Sequence, residues 1–318
     1  MVRRNAVPAN INQHRKSVPG YNMSLQQKLR GTGVALVTPF KNGAIDWEDL
    51  ERIIENVLAG GVEFLVSLGT TGESSTTTDA EHHQILDFSI KVNRGRVPFV
   101  AGIFGGNNTA AMVEKIKSFN FDGIDALLSS NPAYNKPGQE GIFQHYMALA
   151  EASPRPIIIY NVPSRTSSNM TAETTLRLAN ASERFIAVKE ASDDIYQIMK
   201  ILKGRPDNFL VLSGDDFITL PLVAAGGDGV ISVIANTLPR PFTDMVRAAL
   251  RQDLPTAQKL NFKLLELYKI LFAEGNPVGV KAAMELQGLC NREVRLPLVP
   301  MSEQGVHAIM AELEKLEQ

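Results

Sequence analysis

Cysteine is almost absent from this chain. Its single copy, Cys290, excludes an intrachain disulfide and any cysteine-based metal site within one chain. Histidine is scarce as well. His14, His82, His83, His145 and His307 make no His-Glu-x-x-His pattern, so no catalytic metal is expected. Charge of one sign is lacking, with 32 Lys plus Arg against 34 Asp plus Glu, which leaves no basic patch for nucleic acid and no acidic tail. No apolar run approaches the roughly 20 residues of a membrane span, and no signal-peptide core is visible. Nor is there a linker rich enough in Gly, Ser or Pro to set off an independent second domain. The setting expected from these absences is soluble, reducing and cytoplasmic.

What is present is a long alternation of strand and helix patterns. The chain has 318 residues, above the roughly 250 typical of a (β/α)8 barrel and enough for a large core. Residues 1–22 carry Arg3, Arg4, Arg15 and Lys16, no acid and few large apolar side chains, and read as a disordered leader. From Gly33 short apolar, β-branched runs recur, with strands expected at 34–38, 62–68, 97–103, 123–129, 156–160, 185–189, 208–213 and 229–234. Between them Leu50, Ile53, Ile54, Val57 and Leu58 fall on one helical face behind an Asp46 cap, and Thr78 with Glu81 forms a capping box. Eight strand-then-helix units with short links predict an α/β fold, a (β/α)8 TIM barrel over residues 23–237. An open doubly wound sheet is the alternative, since a unit count does not prove closure. Residues 238–318 read as helices only, with Leu260, Leu264, Leu267, Tyr268 and Leu271 on one face. They are expected to supply the final barrel helix and a C-terminal helical extension.

Lys189 ends the buried run from Phe185, whereas every other lysine falls in a helical pattern, a loop or a chain end. Burial disfavours a charged ammonium, and a neutral amine is a nucleophile whose natural target is a ketone. The plain alternative is a strand-end lysine that snorkels to water. Its neighbours weigh against that. Thr70 and Thr71 follow the second strand, Tyr134 the fourth, Tyr160 ends the fifth and Arg165 comes after it. In a parallel barrel all of them belong to the C-terminal mouth. An amine, two phenols, two hydroxyls and a guanidinium make a set for carbonyl chemistry. Taken singly, Tyr160 also fits a core aromatic, Tyr134 a surface or interface residue, and Arg165 an ion-pair partner. Asp215 and Asp216, adjacent in a loop, read as solvated or capping and are left outside the set.

Gly69-Thr70-Thr71-Gly72-Glu73-Ser74, Tyr160-Asn161-Val162-Pro163-Ser164-Arg165-Thr166 and Lys189-Glu190-Ala191 carry a resemblance in their order and spacing. The chain, from about Gly31 onward, resembles the dihydrodipicolinate synthases of the pyruvate-dependent class I aldolase superfamily. The resemblance implies condensation of pyruvate with L-aspartate 4-semialdehyde through a lysine imine, with no cofactor, in a homotetramer built as a dimer of dimers. It implies that Lys189 forms the imine and Tyr160 is the acid/base group. Thr70 and Tyr134 complete a relay to solvent, Tyr134 by entering a neighbouring subunit's site. Thr71 holds the pyruvate carboxylate, Arg165 binds that of the semialdehyde, and the backbone carbonyls of Gly214 and Ile231 line the pocket.

Sialic acid lyases of the same superfamily tend to have Ser-Thr at the Thr70-Thr71 positions and lack the arginine. An aldolase acting on a sugar acid or hydroxy-oxo acid is therefore the second reading. A non-catalytic binding member of the fold is the third, and its mark would be a lost lysine, tyrosine or arginine. None is lost here. In members inhibited by lysine, a histidine, a glutamate and a second tyrosine help to hold the inhibitor. This chain keeps Ser74, Ser75, His82 and Asn107 of that site but has Asp79, Ala111 and Ala133 at the other three positions. Weak feedback inhibition is expected.

Overall fold

Short runs of Val, Ile, Leu and Phe become strands in this protein because each is covered on both faces. The computed structural model describes residues 23–316, so the leader expected over residues 1–22 lies outside the described residues. In chain order the strands are β1 (Gly31–Ala35), β2 (Phe40–Lys41), β3 (Ala44–Ile45), β4 (Phe64–Ser67), β5 (Phe99–Ala101), β6 (Ala126–Ser130), β7 (Ile157–Asn161), β8 (Phe185–Glu190), β9 (Leu210–Ser213) and β10 (Gly229–Ser232). β1 and β4 to β10 run parallel and close into one barrel, with β1 paired to both β4 and β10. That closure decides for the TIM barrel and against the open sheet.

The helices are α1 (Leu25–Lys28), α2 (Trp47–Ala59), α3 (Asp79–Asn93), α4 (Thr109–Ser118), α5 (Gln139–Ala152), α6 (Pro163–Thr166), α7 (Ala172–Ala181), α8 (Ile195–Gly204), α9 (Thr219–Ala224), α10 (Pro239–Leu250), α11 (Leu254–Ile270), α12 (Val278–Leu286) and α13 (Glu303–Leu316). Each barrel strand is followed by one helix of the outer ring, ending with α10 after β10, and α11 to α13 form the C-terminal extension. The caps act as expected: Asp46 accepts from the Asp49 N–H at 3.1 Å, and the Thr78–Glu81 capping box is complete. Among the described residues no helix is long and apolar enough to cross a membrane.

Two apolar layers follow from the strand period of two. Phe64, Val66, Val100, Leu128, Ile158 and Leu212 fill the barrel, joined at its N-terminal end by Leu29. Ile157, Ile159, Val188 and Val211 face outward into the layer shared with the helices, which runs on into Leu264, Val280 and Ile309 of the extension.

The first strand is displaced from its expected place. It runs through Gly31 and Gly33 because the Phe64 ring fills the space beside Gly33, where a Cβ would come within 2.2 Å of the ring. Val37 then leaves the sheet, its N–H donating to Asn236 Oδ1 at 3.2 Å. A β2–β3 hairpin follows, outside the strands expected from the sequence. It turns at Asn42 and Gly43, both at positive φ, as a two-residue hairpin turn of this kind demands.

Candidate active site

The site begins with an irregularity in strand pairing. Ile157 pairs with Phe185, but Ile158 pairs with Ala187, so Ile186 is passed over. This bulge brings Tyr160 level with Lys189 on adjacent strands, both among the residues that point into the barrel. The Lys189 side chain lies over the Tyr160 ring, with Nζ 4.3 Å from its centroid. On the outer face the next pair, Asn161 and Glu190, locks the same register. Asn161 Nδ2 donates to Glu190 Oε1 at 2.9 Å, and Asn161 Oδ1 accepts from Asn131 Nδ2 and from the Met170 N–H. Burial pushes the Glu190 carboxyl up to about 7, opposed by donors from Ser192, Asn161 and Gln197.

Six of the predicted residues line one cavity of 290 Å³ at the C-terminal mouth: Thr70, Thr71, Tyr160, Arg165, Lys189 and Gly214. Arg165 is carried there by α6, a single turn opened by Pro163 and ended by Ser167 in the left-handed region. Neither Lys189 nor Arg165 makes an ion pair among the described residues, although Asp193 and Asp215 share the lining with them. The N–H groups of both side chains are therefore left to meet a substrate carbonyl or carboxylate. Ile231 is not among the lining side chains, and the expectation for it concerns its carbonyl. The side chain is fully buried in the barrel interior opposite Gly33, and Val233, two residues on, lines the cavity instead.

Ser164, Asp193 and Asn276 also line this cavity without belonging to the predicted set, and Asp215, set aside on the sequence alone, lines it too. Asn276 reaches it from the link between α11 and α12, its Nδ2 donating to Thr71 Oγ1 at 3.0 Å. Asn276 Oδ1 is buried and unpartnered among the described residues. No periodicity marks a residue that the extension folds back over the barrel. Of the adjacent acids, Asp216 does cap, accepting from the Ile234 N–H at 2.8 Å, but Asp215 is not a solvated loop acid.

Burial, together with Asp216 and Asp193, pushes the Asp215 carboxyl from 3.8 up to about 7, while Lys189 and the Phe217 N–H pull the other way. As pH rises the unfolded chain ionises first, so stability falls between about 4 and 7 and the loss is complete above that window. Asp215→Asn should flatten this decline, gaining on the order of 2 kcal/mol over wild type at pH 8 relative to pH 4. Urea unfolding of both proteins across that range checks it. Parallel profiles would remove Asp215 as the cause.

Tyr134 lies outside the cavity and is 93% exposed, at a positive φ of 63°. Its loop is nevertheless pinned. The Tyr134 N–H donates to the Thr166 carbonyl at 3.2 Å, and Asn107 Oδ1 accepts from the Ala133 N–H at 2.7 Å. A second cavity of 290 Å³ adjoins the first, with Thr70 and Tyr160 common to both linings. Ser74, Ser75, His82 and Lys115 face it. Lys115 pairs with Asp79 at 3.4 Å, and Asp79 also lies 3.4 Å from His82 Nδ1.

Burial alone does not single out Lys189. Lys281 on α12 is 0% exposed against 5% for Lys189, and burial holds its ammonium below the usual lysine range. What separates the two is pairing, for Lys281 Nζ sits 2.5 Å from Glu73 Oε1. Cys290 is buried too, and burial pushes its thiol up to about 12, away from any reactive thiolate.

Known proteins resemble this chain over most of its length. The dihydrodipicolinate synthetase family matches residues 28–316. The 4-hydroxy-tetrahydrodipicolinate synthase of Flavobacterium psychrophilum is 50% identical over 278 residues, covering 87% of this chain and 94% of that protein. That of Parabacteroides distasonis is 50% identical over 273 residues, covering 86% and 92%. The crystal structure of dihydrodipicolinate synthase from Aquifex aeolicus superimposes with a TM-score of 0.87 at 40% identity, covering 91% of this chain and 98% of that one. A closed parallel barrel with this mouth, matched in sequence and structure almost from end to end, makes the chain an enzyme of the dihydrodipicolinate synthetase family.

Proposed function

We propose that this enzyme condenses pyruvate with L-aspartate 4-semialdehyde to 4-hydroxy-tetrahydrodipicolinate. The observation that carries the reading is the unpaired Lys189, level with Tyr160 in a cavity that also holds an unpaired Arg165. Lys189 attacks the pyruvate ketone and water leaves, giving an imine that loses a methyl proton to become an enamine. The enamine carbon adds to the aldehyde. The amine of the second substrate then displaces Lys189 and closes the ring. Tyr160 moves the protons, Thr70 links it toward solvent, and Thr71 holds the pyruvate carboxylate. Arg165 binds the second carboxylate through its planar fork. The backbone carbonyls of Gly214 and Ile231 complete the pocket. No cofactor is needed, since the imine itself is the electron sink, and a cytoplasmic setting suits the reaction.

Supplying pyruvate with different aldehydes tests this reading. Aspartate semialdehyde should be consumed and sugar aldehydes spared. Consumption of a sugar aldehyde alone would replace the reading with the aldolase one.

The working assembly is a homotetramer, a dimer of dimers in which Tyr134 completes the partner's relay. A pinned, strained loop that holds a tyrosine almost wholly in solvent supports this, because a relay phenol must be covered. Mixing Tyr134→Phe with Lys189→Ala subunits should restore about a quarter of wild-type activity, as a mixed dimer can contain one intact site. Absence of recovery after demonstrated subunit exchange would refute the shared site.

Weak inhibition by lysine belongs to the same reading. The Ala111 position offers no carboxylate, and the cavity already contains the Lys115 ammonium with Asp79 engaged by it. A missing charged hydrogen bond alone weakens binding by about one to two decades. Millimolar lysine should leave turnover nearly unchanged at subsaturating pyruvate, and half-inhibition far below that concentration would contradict this.

A further inference from the structure

A carboxylate and an ammonium are seldom enclosed together unless their geometry is good, because each loses its hydration. Glu73 and Lys281 are enclosed in this way, with side-chain exposures of 1% and 0%. Both groups have further partners. The Arg295 N–H donates to Glu73 Oε2 at 3.0 Å, and Lys281 Nζ donates to the Glu293 carbonyl at 2.8 Å. Glu73 itself takes a left-handed φ of 52°, so a side-chain anchor accompanies a backbone shape that a glutamate rarely adopts.

This pair lies directly under the turn that carries Thr70 and Thr71. Each of the three residues after Thr70 is tied to a residue distant in the chain. Thr71 Oγ1 accepts from Asn276 Nδ2 at 3.0 Å, the Gly72 carbonyl accepts from Thr38 Oγ1 at 2.7 Å, and Glu73 takes Lys281. Asn276 and Lys281 belong to one short segment that opens α12, so the extension grips the turn at two points. Because Asn276 occupies the Thr71 oxygen as a donor, the Thr71 hydroxyl proton is left to donate into the cavity. That is the sense a carboxylate requires.

We infer that Glu73, Lys281 and Asn276 are positioning residues, holding Thr71 as a hydrogen-bond donor to the carboxylate of the keto-acid substrate. This inference rests on the reading of Thr71 proposed above. Neither Glu73 nor Lys281 lines the cavity, so any effect of theirs on substrate passes through the turn.

The test is the double variant Glu73→Gln with Lys281→Met. It removes both charges together at similar volume, a change that folds commonly tolerate. Pyruvate KM should rise at least about tenfold with kcat changed less than about threefold, and amide exchange should quicken in the 69–77 peptide while barrel strands keep their protection. Adding Asn276→Ala should raise KM by much less than its effect in the wild-type background. A double variant with lowered Tm but wild-type KM and exchange would overturn the inference, leaving the pair a stabilising element only. If the double variant does not fold, Asn276→Asp takes its place. As an acceptor it should turn the Thr71 proton away and raise KM about tenfold, and an unchanged KM would again overturn the inference. Absence of pyruvate labelling on Lys189 in the wild-type enzyme would instead defeat the proposed function, a result separate from the exchange readout.

Discussion

Lys189→Ala abolishes covalent capture of pyruvate under borohydride and lowers condensation by at least about 10³-fold. The amine offers the covalent route, and the two buried lysines are not interchangeable. Lys281 is sealed beneath the turn with Glu73 and has no opening to the cavity, whereas Lys189 lines it. Reduction with pyruvate should therefore add one 1-carboxyethyl group to the peptide containing Lys189 and leave the Lys281 peptide unmodified. The fold should persist, since truncation at the mouth removes no ion pair and opens space that water can enter. Mass spectrometry of trapped wild-type and variant protein, with circular dichroism alongside, measures both. A labelled Lys281 peptide, or full activity in the variant, would refute the assignment.

Tyr160→Phe lowers kcat by about 10²–10⁴-fold, the usual range for a lost general acid–base group, with a much smaller change in KM. The substitution is narrow. The ring stays in the barrel interior, its face still meets Lys189 at the same level, and the Asn161–Glu190 lock on the outer face is untouched. Only the hydroxyl goes. Single-turnover trapping should show slow imine formation as well as slow condensation, because both steps move protons at the same place. A kcat within about threefold of wild type would mean that another group carries the protons.

Strand and helix order was legible from residue spacing because burial on both faces leaves unbroken apolar runs, as in Ile157–Tyr160, and one-face burial leaves the 3.6 pattern of Leu50 to Val57. The edges were less legible. The displaced β1 depends on the Phe64 ring from the next strand, which no local pattern around Gly33 reveals. The mouth residues that end strands, Lys189 and Tyr160, could be placed from order alone, because every parallel strand points its C-terminal end the same way. Asn276 and Asp215 could not. The first is brought in by the extension folding back, and the second gains its character from burial beside Asp216 and Asp193.

By itself the amino-acid sequence determined the kind of fold, the family and the chemistry-bearing types at the barrel mouth, because alternation, strand direction and motif order are all local or one-dimensional properties. The tertiary structure decided the rest. Closure of β1 onto β10 required eight pairings to agree, and the bulge that levels Lys189 with Tyr160 exists only in the pairing of two strands. Which buried lysine is free to react depended on Glu73 lying 208 residues away in the chain yet 2.5 Å away in space. A charge's partner is set by distance in the folded molecule, and separation along the chain carries no record of it.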